Sequence, residues 1–225
     1  MGAKPPRPED YASPQVRDSE LGLGRYDPSR AYNGLTLYTP LRPQFPLRLI
    51  DMLGNSVHEW TLPFDALEGD VLISLRNLDV LAVLDIEKRV IKWAVRGPWR
   101  LQHDPDVLAN GKVLLFDNRG DMKNGGTSRI LEFDPQTLEI TWEYPGDSAE
   151  VLYTSIYGSQ QRLPNGNTLI SESNNGRMIE VTRSGDVVWE YKIPERTIRH
   201  KTMEIATVVF AERFRPESLP FLQEP

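Results

Sequence analysis

Residues 158–191 read GSQQRLPNGNTLISESNNGRMIEVTRSGDVVWEY. Asn165-Gly166 favours a hairpin turn whose central residues take positive φ. NTLISE after it is a short run of β-forming residues. RMIEVT alternates apolar and polar side chains with period two, as a half-buried strand does. RSGD has the composition of a turn, and DVVWEY closes the unit as a further strand. Residues 103–144, HDPDVLANGKVLLFDNRGDMKNGGTSRILEFDPQTLEITWEY, repeat the plan: strand, Asn110-Gly111 turn, strand, Gly-containing loop, strand, turn, and a strand ending in Trp-Glu-Tyr.

Two weaker copies precede these. GDVLISLRNLDVLAVLDIEKRVIKWAV (residues 69–95) has three strands and ends at Trp93, and GLTLYTPLRPQFPLRLIDMLGNSVHEWTLP (residues 34–63) ends at Trp60. Trp142 and Trp189 are separated by roughly the 40–50 residues of a four-stranded propeller blade. Trp60 and Trp93 lie closer, so strand material is missing between them. MEIATVVFAERF (residues 203–214) reads as one more strand, placed to complete the first copy. The prediction is an all-β propeller of about four blades, incomplete or closed by its C-terminal strand. It spans residues 31–214, with a mobile, Pro-rich tail over 1–30 and a C-terminal tail over 215–225. A Trp at the same place in each repeat is expected to pack between blades.

The 225 residues suffice for one sizeable domain. A net charge of −6 argues against nucleic acid as a partner. No apolar run approaches the roughly 20 residues of a membrane span, and MGAKPPRPEDYASPQVRDSE lacks the apolar core of a secretory signal. The absence of cysteine excludes disulfides, zinc–thiolate sites and cysteine nucleophiles. Gly-x-Ser-x-Gly, phosphate-loop and His-Glu-x-x-His motifs are missing too.

Of the three histidines, His58 and His200 read as surface residues. His103 stands at a strand entrance in WRLQHDPDV. A neutral imidazole is a competent nucleophile near pH 7, and its second nitrogen needs an acceptor to fix the tautomer. Asp104 and Asp106 are the nearby candidates, with Asp104 disfavoured on a regular strand because adjacent side chains point to opposite faces. From these residues alone, His103 is equally a strand cap bonded to backbone. The loop FDNRGDMKNGG offers Asp117, Asn118, Asp121 and Asn124 but lacks EF-hand spacing, so it reads as a turn.

The combination AYNGLTLYTP, IDMLGNSVHEW, GDVLISLRNLDVLAVLD, RGPWRLQHDPDVLANGKVLLFDN, QRLPNGNTLISES and GRMIEVTRSGDVVWEY resembles the arylsulfotransferase family, from about Leu21 to about Leu222. The resemblance implies a β-propeller that moves a sulfuryl group from a phenolic sulfate to a phenol through a sulfated histidine. It makes His103 the nucleophile and Arg76 the active-site arginine, and it implies no metal and no cofactor. Asn77 and Arg100 are adjacent candidates for substrate binding, and Tyr153 and Tyr157 are placed to flank a phenolic ring. It also implies a periplasmic or exported protein. Family members carry a long insert, with further blades and a His-x-Asn segment, where TLPFDALEGDVLIS here runs straight through. A non-catalytic binding or scaffold propeller is therefore the alternative. A quinone-dependent dehydrogenase of propeller form is a third reading, for which no cofactor-specific residues stand out.

Overall fold

The computed structural model describes residues 21–40, 47–60, 70–121, 125–146, 151–199 and 202–219. Its strands, in chain order, are β1 (Gly22–Tyr26), β2 (Leu35–Pro40), β3 (Leu47–Ile50), β4 (Ser56–Trp60), β5 (Asp70–Leu75), β6 (Val80–Asp85), β7 (Val90–Arg96), β8 (His103–Val107) and β9 (Val113–Asp121). They continue with β10 (Thr127–Phe133), β11 (Ile140–Tyr144), β12 (Ser159–Arg162), β13 (Thr168–Glu172), β14 (Arg177–Val181), β15 (Val187–Lys192), β16 (Arg196–Arg199), β17 (Thr202–Ile205) and β18 (Val208–Phe214).

Among the described residues, four antiparallel sheets form the blades. The first has the order β18-β2-β3-β4, the second β5-β6-β7, the third β11-β10-β9-β8 and the fourth β1-β15-β14-β13-β12. The protein is thus an all-β propeller of four blades, with β16 and β17 as a separate hairpin. The C-terminal strand β18 pairs with β2 and completes the first blade, as the sequence predicts. Contacts between neighbouring sheets run from β5 to β8, from β8 and β9 to β12, and from β12 and β13 to β18. No helix among the described residues is long and apolar enough to cross a membrane.

Three local differences from expectation have physical causes. Gly22–Tyr26, inside the segment expected as a tail, adds a fifth strand to the fourth blade by pairing with β15. Leu21 and Tyr26 there pack against the cluster around Trp189 and Tyr191, while two glycines dilute the strand signal. The expected single strand over 203–214 is two, because its halves have different partners: Thr202–Ile205 pairs with β16 in a hairpin whose ladder the Ala206 N–H to Glu195 O bond extends, and Val208–Phe214 pairs with β2. The Asn-Gly pairs are not the central residues of their turns. Gly111 N–H bonds Leu108 O and Gly166 N–H bonds Leu163 O, and only the glycines have positive φ, +79° and +87°. Each turn ends in a left-handed glycine, the geometry of a type I turn with a G1 bulge.

The Trp-ended strands pack between blades, as expected of three of the four tryptophans. Trp93 joins the cluster of Val113, Leu115 and Phe133, and Trp142 that of Ile170 and Val181. Trp189 is fully buried with Tyr38 and Ile50. The side chain of Trp60 lies outside what the structure describes, as do those of His58 and His200. Two of these seams carry the same clasp. The Arg213 guanidinium, from the inner strand of the first blade, lies 4.3 Å over the Trp189 ring and pairs with Glu180, the cross-strand neighbour of Trp189. Likewise Arg162 lies 4.8 Å over Trp142 and pairs with Glu132 at 2.8 Å, the cross-strand neighbour of Trp142.

Arg213 and Glu180 are both 0 % exposed. Burial lowers the Arg213 pKa to about 10, and Glu180 opposes that shift, so the guanidinium stays charged at neutral pH. Glu180→Ala strands this charge and is expected to cost about 3–5 kcal/mol, read as a lower urea midpoint with unchanged slope. A loss of under about 1 kcal/mol, the range of an exposed pair, would contradict the clasp.

Candidate functional site

The site forms where β8 meets the next blade. His103 pairs with Phe116 across the β8–β9 hairpin, and the register then slips before Asp106. Asp104 sits in that irregularity with φ +50°, a conformation Asp adopts more readily than most residues. It is bound to the fourth blade: Gln160 N–H donates to Asp104 Oδ2 at 3.0 Å, and the Gln160 side-chain amide donates to Asp104 O. The slip turns Asp104 toward β12 and leaves the imidazole facing Asn118.

Asn118, and neither aspartate, fixes the tautomer. It is fully buried, and its amide nitrogen donates to Thr154 O at 3.0 Å and Tyr157 O at 2.8 Å. With both N–H groups committed, Oδ1 faces His103 Nδ1 at 2.7 Å as an acceptor, so Nδ1 carries the proton. Nε2 then holds the free lone pair. It accepts a long bond, 3.3 Å, from the Tyr157 N–H. Burial lowers the His103 pKa; the Asn118 bond opposes this, and the positive charge of Arg76 lowers it further. The ring is therefore neutral at physiological pH.

Arg76 begins a short 3-10 turn, Arg76–Leu78, directly after β5. Its guanidinium donates to Asn77 Oδ1 and to Ser155 O, each at 3.0 Å. The turn ends on Asp79 with φ 55°, and Asp79 takes the Trp99 indole N–H at 3.0 Å and the Leu101 N–H at 2.9 Å. The second blade's loop is thereby locked to the segment that leads into His103. Tyr157 has φ 63°, and its ring centroid lies 6.3 Å from that of His103 at 52°.

Arg76 bonds Asn77 and acts on the His103 ring through its charge, and Tyr157 reaches His103 through its backbone N–H. The Arg100 side chain is exposed and makes no hydrogen bond to another described residue; its backbone N–H donates to Asp117. Tyr153 takes a bond from Arg119 at 3.2 Å. In the loop considered for a cation, Asp117 is paired with Arg129 at 2.9 Å and Asn118 serves His103, while Asn124 lies outside the described residues. Sequence reasoning missed Asn118 as the orienting group. The signal for it is period two on β9, which puts Asn118 on the face of Phe116, the partner of His103.

These features define a propeller with a neutral, oriented histidine and an arginine at the junction of its second, third and fourth blades. Residues 54–193 match the arylsulfotransferase (ASST) family, more than half of the chain, and the protein belongs to that family. No curated protein matches it. Among solved structures, it is similar to a protein of unknown function from Bacteroides caccae, with 13% identity, TM-score 0.40, and coverage of 83% of this chain and 74% of that one. It is also similar to virginiamycin B lyase from Staphylococcus aureus, with 16% identity, TM-score 0.39 and coverage of 88% and 70%. BamB from Moraxella catarrhalis has 14% identity, TM-score 0.34 and coverage of 87% and 67%. The fold assignment rests on strand order rather than on these likenesses.

Asp104 offers a test of the bulge. Burial pushes its carboxyl up to about 7, against the Gln160 N–H bond that lowers it, with Asp106 and Glu212 adding to the rise. The folded-state value lies above the ordinary 3.8, so folding favours the proton and stability falls as pH rises from that value through about 7. Asp104→Asn removes the ionisation and keeps an acceptor for Gln160. It is expected to raise Tm at pH 8 and to leave Tm unchanged at pH 4. An equal Tm for both proteins at pH 8 would contradict the burial of this carboxylate.

Proposed function

We propose that the protein is an aryl sulfotransferase in which His103 carries the sulfuryl group. The observation that supports this most is the oriented imidazole, with Nδ1–H on Asn118 Oδ1 at 2.7 Å and the Arg76 charge acting on the ring. The substrates are a phenolic sulfate ester as donor and a phenol as acceptor.

In the first half-reaction the Nε2 lone pair attacks sulfur as the S–O(aryl) bond breaks. The bonding pair leaves on the phenolate, which takes a proton from water. In the second half, the acceptor phenol loses its proton to solvent, its oxygen attacks sulfur, and the N–S bond breaks to restore neutral His103. The weak Tyr157 N–H bond to Nε2 yields to the incoming group. The proton stays on Nδ1, donated to Asn118 Oδ1, and this bond supports the positive charge that the ring acquires on sulfonation. As in phosphoryl transfer, there is little covalent work for the protein beyond positioning and charge stabilisation. Arg76 supplies a planar, permanently charged fork for the sulfuryl oxygens. Asn77 Oδ1 and Ser155 O each accept a bond from that guanidinium at 3.0 Å and fix its orientation.

Purified protein is expected to release nitrophenol from p-nitrophenyl sulfate when phenol is present. His103→Ala abolishes this release. Arg76→Ala lowers kcat by about 10²–10³-fold, as removing one transition-state donor does, and Asn118→Ala lowers it by about 10²-fold or more, since a misoriented tautomer is catalytically poor. Because the neutral ring is the nucleophile and its pKa is lowered, the acid limb of kcat/KM has its midpoint below the ordinary 6.5. Equal nitrophenol release by wild type and His103→Ala would overturn the proposal.

A further inference from the structure

The clasp at two blade seams is missing from the third. At the seam of the third and fourth blades, Trp142 is covered by Arg162 and Arg183, at 4.8 and 5.1 Å from its ring, and both arginines pair with Glu132. At the seam of the second and third blades the tryptophan is Trp93, and its cross-strand neighbour is Val83 where the clasp has glutamate. Val107 ends β8 as Arg162 ends β12, each pairing with the first residue of the next strand or its counterpart, Val113 or Thr168. Pro135 follows the first turn residue as Arg183 does after Thr182. All three charges of the clasp are thus replaced by apolar residues.

A cavity of about 370 Å³ occupies the vacated place, lined by Leu72, Val83, Trp93, Val107, Val113 and Pro135. Trp142 donates its indole N–H to Arg183 O at 3.0 Å, and Trp189 donates to Met52 O at 2.9 Å. The Trp93 indole N–H has no acceptor among the described residues. Val107, on the rim, is 65% exposed. The slot therefore keeps the tryptophan platform, opens to solvent and offers the Trp93 indole N–H and the neutral Gln136 amide as polar groups, but it has lost every charged group of the clasp.

We propose that this slot is a second ligand site, separate from His103, that takes a flat, uncharged aromatic molecule of about two rings bearing one hydrogen-bond acceptor. Charge complementarity selects the class. Where the seam carries a carboxylate, the indole is covered by a guanidinium plane; where the carboxylate is valine, a neutral ring takes the plane's position. Burying a charge there without a partner is costly, whereas a ring on Trp93 gains stacking and apolar burial. The volume lies within the range of small-molecule pockets.

Prodan, a neutral naphthalene ketone without a hydroxyl to accept a sulfuryl group, tests this by its environment-sensitive fluorescence. Wild type is expected to bind one equivalent saturably, with a blue-shifted emission. The double variant Val83→Glu/Val107→Arg rebuilds the clasp found at the other two seams and is expected to weaken binding at least 10-fold, with nitrophenol release unchanged. Val107→Phe fills the slot without charge and gives the same loss, which keeps the test intact if the double variant fails to fold. No saturable binding by wild type, or undiminished binding by the folded variants, would overturn the proposal. Neither outcome depends on whether His103 is catalytic.

Discussion

The architecture depends on a guanidinium held between an indole face and a buried carboxylate. Arg213 with Trp189 and Glu180, and Arg162 with Trp142 and Glu132, place a charge where water is excluded. Such a pair is not a strong source of stability by itself, because desolvation opposes the Coulombic gain. Its effect is on geometry. The planar fork must meet a carboxylate and a ring face at once, so the inner strand of one blade cannot slide along the outer strands of its neighbour. β12 and β18 are fixed in this way, and β12 in turn holds β8 through the two Gln160 bonds to Asp104. The position of the imidazole is a consequence of that chain of constraints.

Much of the architecture was legible in the sequence because its signals are local and repeated. Period-two strands, left-handed glycines after asparagine and a tryptophan at each strand end each report a nearby backbone requirement. The C-terminal strand was legible from the incomplete first copy. β1 was not, since Leu-Gly-Leu-Gly-Arg-Tyr carries a weak strand pattern and its pairing with β15 is decided by distant packing. The break at Ala206 was hidden because the two halves pair with different strands, β17 with the neighbouring β16 and β18 with the distant β2.

The site divides along the same line. His103 and Arg76 are proposed through a family resemblance, and neither strand pattern nor charge would have paired residues on different blades. The orienting group could not be chosen among nearby aspartates, because its role depends on where its own amide protons go. Asn118 accepts from His103 only because Thr154 O and Tyr157 O consume both of its N–H groups. Once that is known, the tautomer, the free Nε2 lone pair and the lowered pKa follow from ordinary electrostatics. A neutral ring beside a fixed cation suits a reaction in which an anionic group must approach a nucleophile that is not itself charged.

The most direct measurement is mass spectrometric mapping of the protein after brief incubation with p-nitrophenyl sulfate and no acceptor. The account predicts a sulfuryl adduct on the peptide containing His103, confined to the histidine and discharged when phenol is added. An adduct on another residue, or nitrophenol release with His103 unmodified throughout, would contradict it.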